Sequence, residues 1–273
     1  MFLEFICLLC GVGLALMGHF LGFWPVVHGW DFYRPVILYM AGWIAGIGVI
    51  FLLELLASLF INKKKEYAKV SGWARFWFNN GLVFISNHAH IWMKINGKYK
   101  IPQKEKFVLV CNHRSKFDNF IITRILGKRD IAFVTKKENT KIPIAGGLMP
   151  GLCYISVDRD DKIQSLFAFK RASSLIENNV CSIGVFPEGT RQTENTIGAF
   201  HEGVFNIAIH AKAPIVVTAM KNTDLVHKRW PWKATVVKWD IIAVISYEEY
   251  ADLTAKALSD KVHEMMEEHF RQM

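Results

Sequence analysis

An α/β fold, a mixed sheet covered by helices and preceded by a two-helix membrane hairpin, is the architecture that this sequence predicts. Three observations carry the prediction. Two long stretches near the start are almost free of charge. From residue 93 onward, short apolar runs alternate with segments of helical periodicity, which argues for strands and covering helices. A charged amphipathic segment, residues 250–273, closes the chain as a helix. The hairpin is assigned to residues 1–66, with helices over about 5–27 and 36–61, and the second domain to residues 67–273.

In residues 5–27 the only ionisable group besides the cysteines is His19, and residues 36–53 carry no charge. Each stretch is long enough to cross a hydrocarbon core of about 30 Å as a helix. A cleaved signal peptide fits poorly, because the segment ahead of the first stretch holds Glu4 and no lysine or arginine. Asn62-Lys63-Lys64-Lys65 follows the second stretch, so the positive-inside bias places both ends, and the bulk of the chain, on the cytoplasmic side of a cell membrane. Two spanning helices are the reading taken here, and Gly11, Gly13, Gly18, Gly22, Pro25 and Glu54 keep open a shallower hairpin held in one leaflet.

Aromatic residues then crowd residues 70–92 (Trp73, Phe76, Trp77, Phe78, Phe84, Trp92), which suits either a segment against the headgroups or an ordinary core helix and strand. Strands are expected at 107–111, 131–135, 153–157, 181–186, 214–219 and 236–245. Helices are expected at 115–125, with Ser115 as N-cap, and at 163–178 and 203–211.

Composition narrows the partners. The formal charge is +9 and the isoelectric point about 9.3, so an anionic partner is implied. With membrane helices present, a membrane surface or a phosphorylated metabolite is favoured over nucleic acid. The cysteines, Cys7, Cys10, Cys111, Cys153 and Cys181, are odd in number and lie in apolar runs, which fits reduced thiols rather than a disulfide framework.

The chemistry-bearing residues lie in two strings. Asn112-His113-Arg114-Ser115-Lys116-Phe117-Asp118 offers an imidazole that takes a proton near neutral pH and a carboxylate to fix its tautomer. That works only if His113 ends a strand and Asp118 lies in the first helical turn, since the spacing does not put both on one helix face. Asp118 has a plainer reading as well: Ser115-x-x-Asp118 is a capping-box pattern. Phe186-Pro187-Glu188-Gly189-Thr190-Arg191 reads as a rigid turn in which Arg191 offers a planar fork to a phosphate. Its plainer reading is a strand-ending turn with a Glu188–Arg191 surface pair. Asp158 and Arg159 end one expected strand, and Lys136 and Lys137 another, at the sheet edge where open α/β sheets place ligands.

Four blocks together carry a resemblance. Asn112 to Asp118, Ile155-Ser156-Val157-Asp158-Arg159, Phe186 to Arg191 and Ala213-Pro214-Ile215-Val216-Val217 are similar to those of the 1-acylglycerol-3-phosphate acyltransferase family of glycerolipid acyltransferases. The resemblance spans roughly residues 93–220. Gln192 and His201 depart from the residues usual in the family, Ser and Lys. The resemblance implies transfer of a fatty acyl group from a thioester of coenzyme A or acyl carrier protein to the sn-2 hydroxyl of lysophosphatidic acid, giving phosphatidic acid. His113 is then the general base and Asp118 its orienting acid. Arg191, Arg159 and Lys136 hold the phosphate, while Glu188, Gly189 and Thr190 shape the binding loop. No cofactor or metal is implied. Glycerol 3-phosphate or another lysolipid is the alternative acceptor. A Ser-His-Asp lipase lacks its G-x-S-x-G motif here, and a non-catalytic protein binding anionic lipid is the alternative outside enzymes.

Overall fold

The computed structural model describes residues 2–22, 33–126, 129–158, 161–192, 194 and 196–273. Two apolar helices come first, α1 (Phe2–Phe20) and α2 (Tyr33–Leu59), each long and apolar enough to cross a membrane. The expected end of the first helix, residues 23–27, lies outside the described residues. α1 and α2 pack along a seam of small residues: a Cβ on Gly42 would meet the Cys10 carbonyl oxygen at 2.4 Å, and one on Gly46 the Cys7 Cα at 2.8 Å. Most of the remaining hairpin surface is exposed apolar side chain, from Phe5 and Leu9 to Ile44, Phe51 and Phe60.

The aromatic stretch forms α3 (Gly72–His88), started by the Ser71 hydroxyl accepting from the Ala74 N–H. It runs antiparallel along the second half of α2. The Trp73 Nε1–H donates to the Ala57 carbonyl at 2.9 Å, and at the other end the rings of His88 and Trp43 lie 5.2 Å apart. Arg75 reaches outward to Asp130 at 2.7 Å, joining this helix to the domain beyond.

That domain is built on β1 (Ile91–Asn96), β2 (Val108–Cys111), β3 (Ile131–Lys136), β4 (Ile155–Val157), β5 (Ser182–Val185), β6 (Ile215–Lys221) and β7 (Thr235–Ile245). Among the described residues they make one sheet in the order β1-β7-β6-β2-β5-β3-β4. All neighbours pair parallel except β6 with β7, so the sheet is mixed as expected. Period-two alternation feeds two cores. Val108 and Val110 face one side, with α6 (Lys162–Glu177), α7 (Asn206–Ala211) and α9 (Ala255–Gln272); Leu109 and Cys111 face the other, with α4 (Asp118–Leu126). Burial on both faces leaves β2 and β5 without apolar–polar alternation, Ser182 being the one polar residue of the two strands.

Several boundaries differ from expectation. The helix expected at 203–211 opens as a 3-10 turn, Glu202–Phe205, before α7. The closing helix begins at Ala255, capped by the Thr254 hydroxyl, because residues 250–254 turn instead. Short helices α5 (Ala145–Leu148) and α8 (Val226–Arg229) were not anticipated, while α3 and β1 follow the core-helix-and-strand reading of residues 70–92, with β1 running on to Asn96.

Candidate active site

β2, β5, β3, β4 and β6 run parallel, so their carboxyl ends share one edge of the sheet, and the candidate residues gather there. Asn112 extends β2 by one clamp. Its Nδ2 donates to the Met220 carbonyl at 3.0 Å and its Oδ1 accepts the Met220 N–H at 2.7 Å, which fixes where the next residue stands. That residue is His113. Its N–H donates to Glu188 Oε1 at 3.2 Å, and its carbonyl accepts the Gln192 N–H at 2.8 Å, so the loop after β5 grips it on both sides. Its ring stacks on Phe186, centroids 4.4 Å apart, and Phe186 stacks in turn on Phe133.

His113 Nδ1 lies 2.8 Å from Asp118 Oδ2. The same oxygen accepts the N–H groups of Arg114 at 2.6 Å and Ser115 at 2.8 Å. α4 starts at Asp118 rather than at Ser115, because the carboxylate, and not the Ser115 hydroxyl, organises the turn. The Ser115 Oγ accepts the Phe117 N–H at 3.3 Å, one residue short of the capping-box partner. The two readings of Asp118 meet at one oxygen, which accepts the N–H groups of the turn and lies against the imidazole. An acceptor at Nδ1 keeps the proton on that nitrogen and leaves Nε2 as the basic one. The Asp118 side chain is fully buried while that of His113 keeps 22% of its surface, so the imidazole alone meets an incoming group.

The turn after β5 needs its glycine: Gly189 has φ +70°, a conformation costly for other residues. Its N–H closes the turn on the Phe186 carbonyl at 3.0 Å. Glu188 turns inward and is buried, whereas Thr190 and Arg191 are exposed. A Glu188–Arg191 surface pair therefore does not form. Burial pushes the Glu188 carboxyl up to about 7, helped by the Asp118 charge and opposed by the N–H groups of His113 and Gly198 and by Arg114. Arg191 makes no ion pair with the described residues.

Lys136 ends β3, two strands from β2 and so about 10 Å along the sheet edge. Its exposed ammonium stands 3.3 Å from Glu138. Arg159 lies outside the described residues. Asp158, just before it, approaches Lys137 at 3.8 Å. Among the described residues no three His, Cys, Asp or Glu side chains gather as a metal site.

Three contributors went unmarked in the sequence. Asn112 clamps β2 to β6, Phe186 supports the imidazole, and Arg114 turns away from the site. The Arg114 Nε donates to Asp224 at 3.1 Å and its Nη1 to the Glu194 carbonyl at 2.8 Å, tying the dyad's turn to two distant loops. Only their positions inside the two motifs hinted at them.

Residues 93–221 match the family described as Acyltransferase. The 1-acyl-sn-glycerol-3-phosphate acyltransferase of Haemophilus influenzae is 26% identical over 180 residues, 64% of this chain and 75% of that one. The enzyme of that name from Saccharomyces cerevisiae is 29% identical over 135 residues, 48% of this chain and 44% of that one, so the chain spans less than half of that relative. The crystal structure of the 1-acyl-sn-glycerophosphate (LPA) acyltransferase from Thermotoga maritima matches the fold with a TM-score of 0.63 and 20% identity, over 84% of this chain and 91% of that one.

Proposed function

We propose that this chain, whose residues 93–221 carry the domain of the Acyltransferase family, is a membrane-bound O-acyltransferase that moves a fatty acyl group from a thioester to the sn-2 hydroxyl of 1-acylglycerol-3-phosphate. The observation that carries the reading is the dyad at the sheet edge: a partly exposed imidazole with its Nδ1 held by a buried carboxylate. His113 Nε2 takes the acceptor's hydroxyl proton as the oxygen attacks the thioester carbonyl. The imidazolium, steadied by Asp118, returns that proton to the departing thiolate. Such a base contributes about 10² to 10⁴ in rate. No acyl-enzyme is required, since Ser115 is buried in the turn and spent on its own backbone contact.

The rest of the motif binds. Arg191, exposed on the loop that Gly189 shapes, offers its fork to the acceptor phosphate, and Arg159 and Lys136 are the further cations assigned to that group. Glu188 is a positioning residue: it grips the His113 backbone. Coenzyme A or acyl carrier protein supplies the thioester, and no further cofactor enters the chemistry.

The hairpin, residues 1–66, keeps the domain, residues 67–273, at the lipid that it modifies. The shallower of the two insertion modes has the better support. α3 covers α2 from Trp43 to Ala57, about 21 Å of rise. A perpendicular span would pull the far end of α3, and the start of the sheet that follows it, into hydrocarbon. With the hairpin lying along one leaflet, its exposed apolar side meets lipid and the domain stays in the cytoplasm.

The test is purified full-length protein with an acyl thioester, measuring thiol release and labelled phosphatidate, with glycerol 3-phosphate as a parallel acceptor. His113→Ala should abolish transfer while the protein still enters vesicles. Substantial residual turnover sinks the base assignment, and preference for glycerol 3-phosphate overturns the acceptor.

A further inference from the structure

Away from the dyad, a groove of about 980 Å³ runs outside the edge strand β4, between the segment after α2, the end of β3 and α6. None of its lining residues belongs to the catalytic constellation. Lys63, Lys64, Lys65, Lys137, Lys170 and Arg171 line it. Against them stands one lining acid, Glu66, which Arg171 engages at 2.5 Å. Lys137 leans toward Asp158 at 3.8 Å. Lys63, Lys64, Lys65 and Lys170 make no ion pair among the described residues, so the groove keeps an unmet positive charge.

A second, independent feature adjoins it. α6 exposes an apolar stripe at helical spacing: Ile163 at 68%, Leu166 at 61% and Phe167 at 67% exposure, continued by Lys170. Large apolar groups on an otherwise covering helix mark a surface with an apolar partner. Basic residues beside an apolar stripe are the pattern of an interfacial helix. Position agrees, because Lys63 to Lys65 follow closely on the end of α2, where Phe60 and Trp73 are also exposed and meet edge to face, ring centroids 5.8 Å apart.

We propose that this groove is a second phospholipid site, which takes the headgroup phosphate of an anionic phospholipid among its lysines while the acyl chains lie along Ile163, Leu166 and Phe167. It is separate from the acceptor site and binds without turnover. Its effect is to hold the β4 side of the domain against the leaflet, so the sheet edge faces the bilayer from a second anchor besides the hairpin. A nucleotide carrier's phosphates would also meet the lysines, but the exposed stripe on α6 has no use for them.

The experiment titrates full-length protein in neutral detergent with dihexanoyl phosphatidylglycerol, dihexanoyl phosphatidylcholine or adenosine 3′,5′-bisphosphate. Bound lipid is counted by native mass spectrometry. All variants carry Arg191→Ala to weaken the acceptor site, and because the readout is binding, the result stands apart from whether the chain transfers acyl groups. One saturable phosphatidylglycerol is expected, with phosphatidylcholine bound far more weakly. A hydrogen bond to a charged group is worth roughly ten-fold or more, so Lys63→Gln, Lys64→Gln and Lys65→Gln together should weaken binding at least about ten-fold. Replacing the same three by arginine should preserve it. Phe167→Ser should weaken the lipid alone. Equal binding of the two lipids, an unaffected glutamine variant, or displacement of the lipid by the nucleotide would each overturn the proposal.

Discussion

Replacing Asp118 by Asn and, separately, by Ala distinguishes the two tasks of one oxygen. Asp118 Oδ2 accepts from the His113 ring and from the N–H groups of Arg114 and Ser115, in a fully buried site. Asparagine keeps an oxygen for the two backbone donors but loses the charge that steadies the imidazolium and selects its tautomer. Transition-state stabilisation should fall by 10² to 10⁴ in kcat, about 3 to 5 kcal/mol, with the acceptor KM nearly unchanged because neither dyad member binds the phosphate. Alanine loses the same activity and in addition strands two buried N–H groups, at about 1 to 3 kcal/mol each. Thermal unfolding and initial rates on both variants make the comparison. Asn should melt close to the parent and Ala clearly below it, with both nearly inactive. If Asn retains more than a tenth of the activity, the carboxylate is a helix cap and nothing more, and the base assignment loses its support.

The remaining predictions concern the loop after β5. Arg191→Ala removes a charge-assisted bond to a group that does not react, so the acceptor KM should rise roughly 10- to 100-fold with kcat kept; steady-state kinetics with varied acceptor decides, and an unchanged KM makes the arginine structural. Glu188, whose folded pKa stands at about 7 against 4.5 in the open chain, binds more protons folded than unfolded between those values. Its contribution is therefore present at low pH and lost as pH rises from about 4.5 to about 7, up to about 3 kcal/mol in all. Glu188→Gln should flatten that stretch of the stability profile in denaturant titrations from pH 5 to pH 8; a profile parallel to the parent's would place the carboxyl in water. Gly189→Ala, at φ +70°, should cost about 1 to 2 kcal/mol and raise the acceptor KM by displacing Arg191, read by melting and kinetics together; an unmoved KM separates the turn from phosphate binding.

What the chain revealed of itself followed the range of the interaction. β2 and β5 are buried on both faces, so their runs of Val, Leu, Ile and Cys needed no partner to be recognised as strands. The dyad was legible because His113 and Asp118 lie within one turn of each other, and the resemblance drew on the same local strings. β1 stayed one of two readings because its burial alternates and Trp92 continues the aromatic run of α3. The start of α4 was misplaced for a related reason. Ser115 is the better cap by residue type, and only the three-dimensional turn shows its N–H turned toward the carboxylate.

Long-range placement is where sequence reasoning stopped. Arg114 sits in the most informative string of the chain, yet its guanidinium binds Asp224 and the Glu194 carbonyl, partners that no local pattern joins to it. The consequence is mechanical: the backbone N–H of Arg114 holds Asp118 while its side chain is anchored toward β6 and the loop after β5, with its guanidinium 5.7 Å from the Phe270 ring of α9. Three parts of the chain thus brace the carboxylate from behind, and Phe186 and Phe133 brace the imidazole by stacking. On the proposed function such support suits a site that faces lipid, because the groups that fix the dyad's geometry lie on the protein side of the ring.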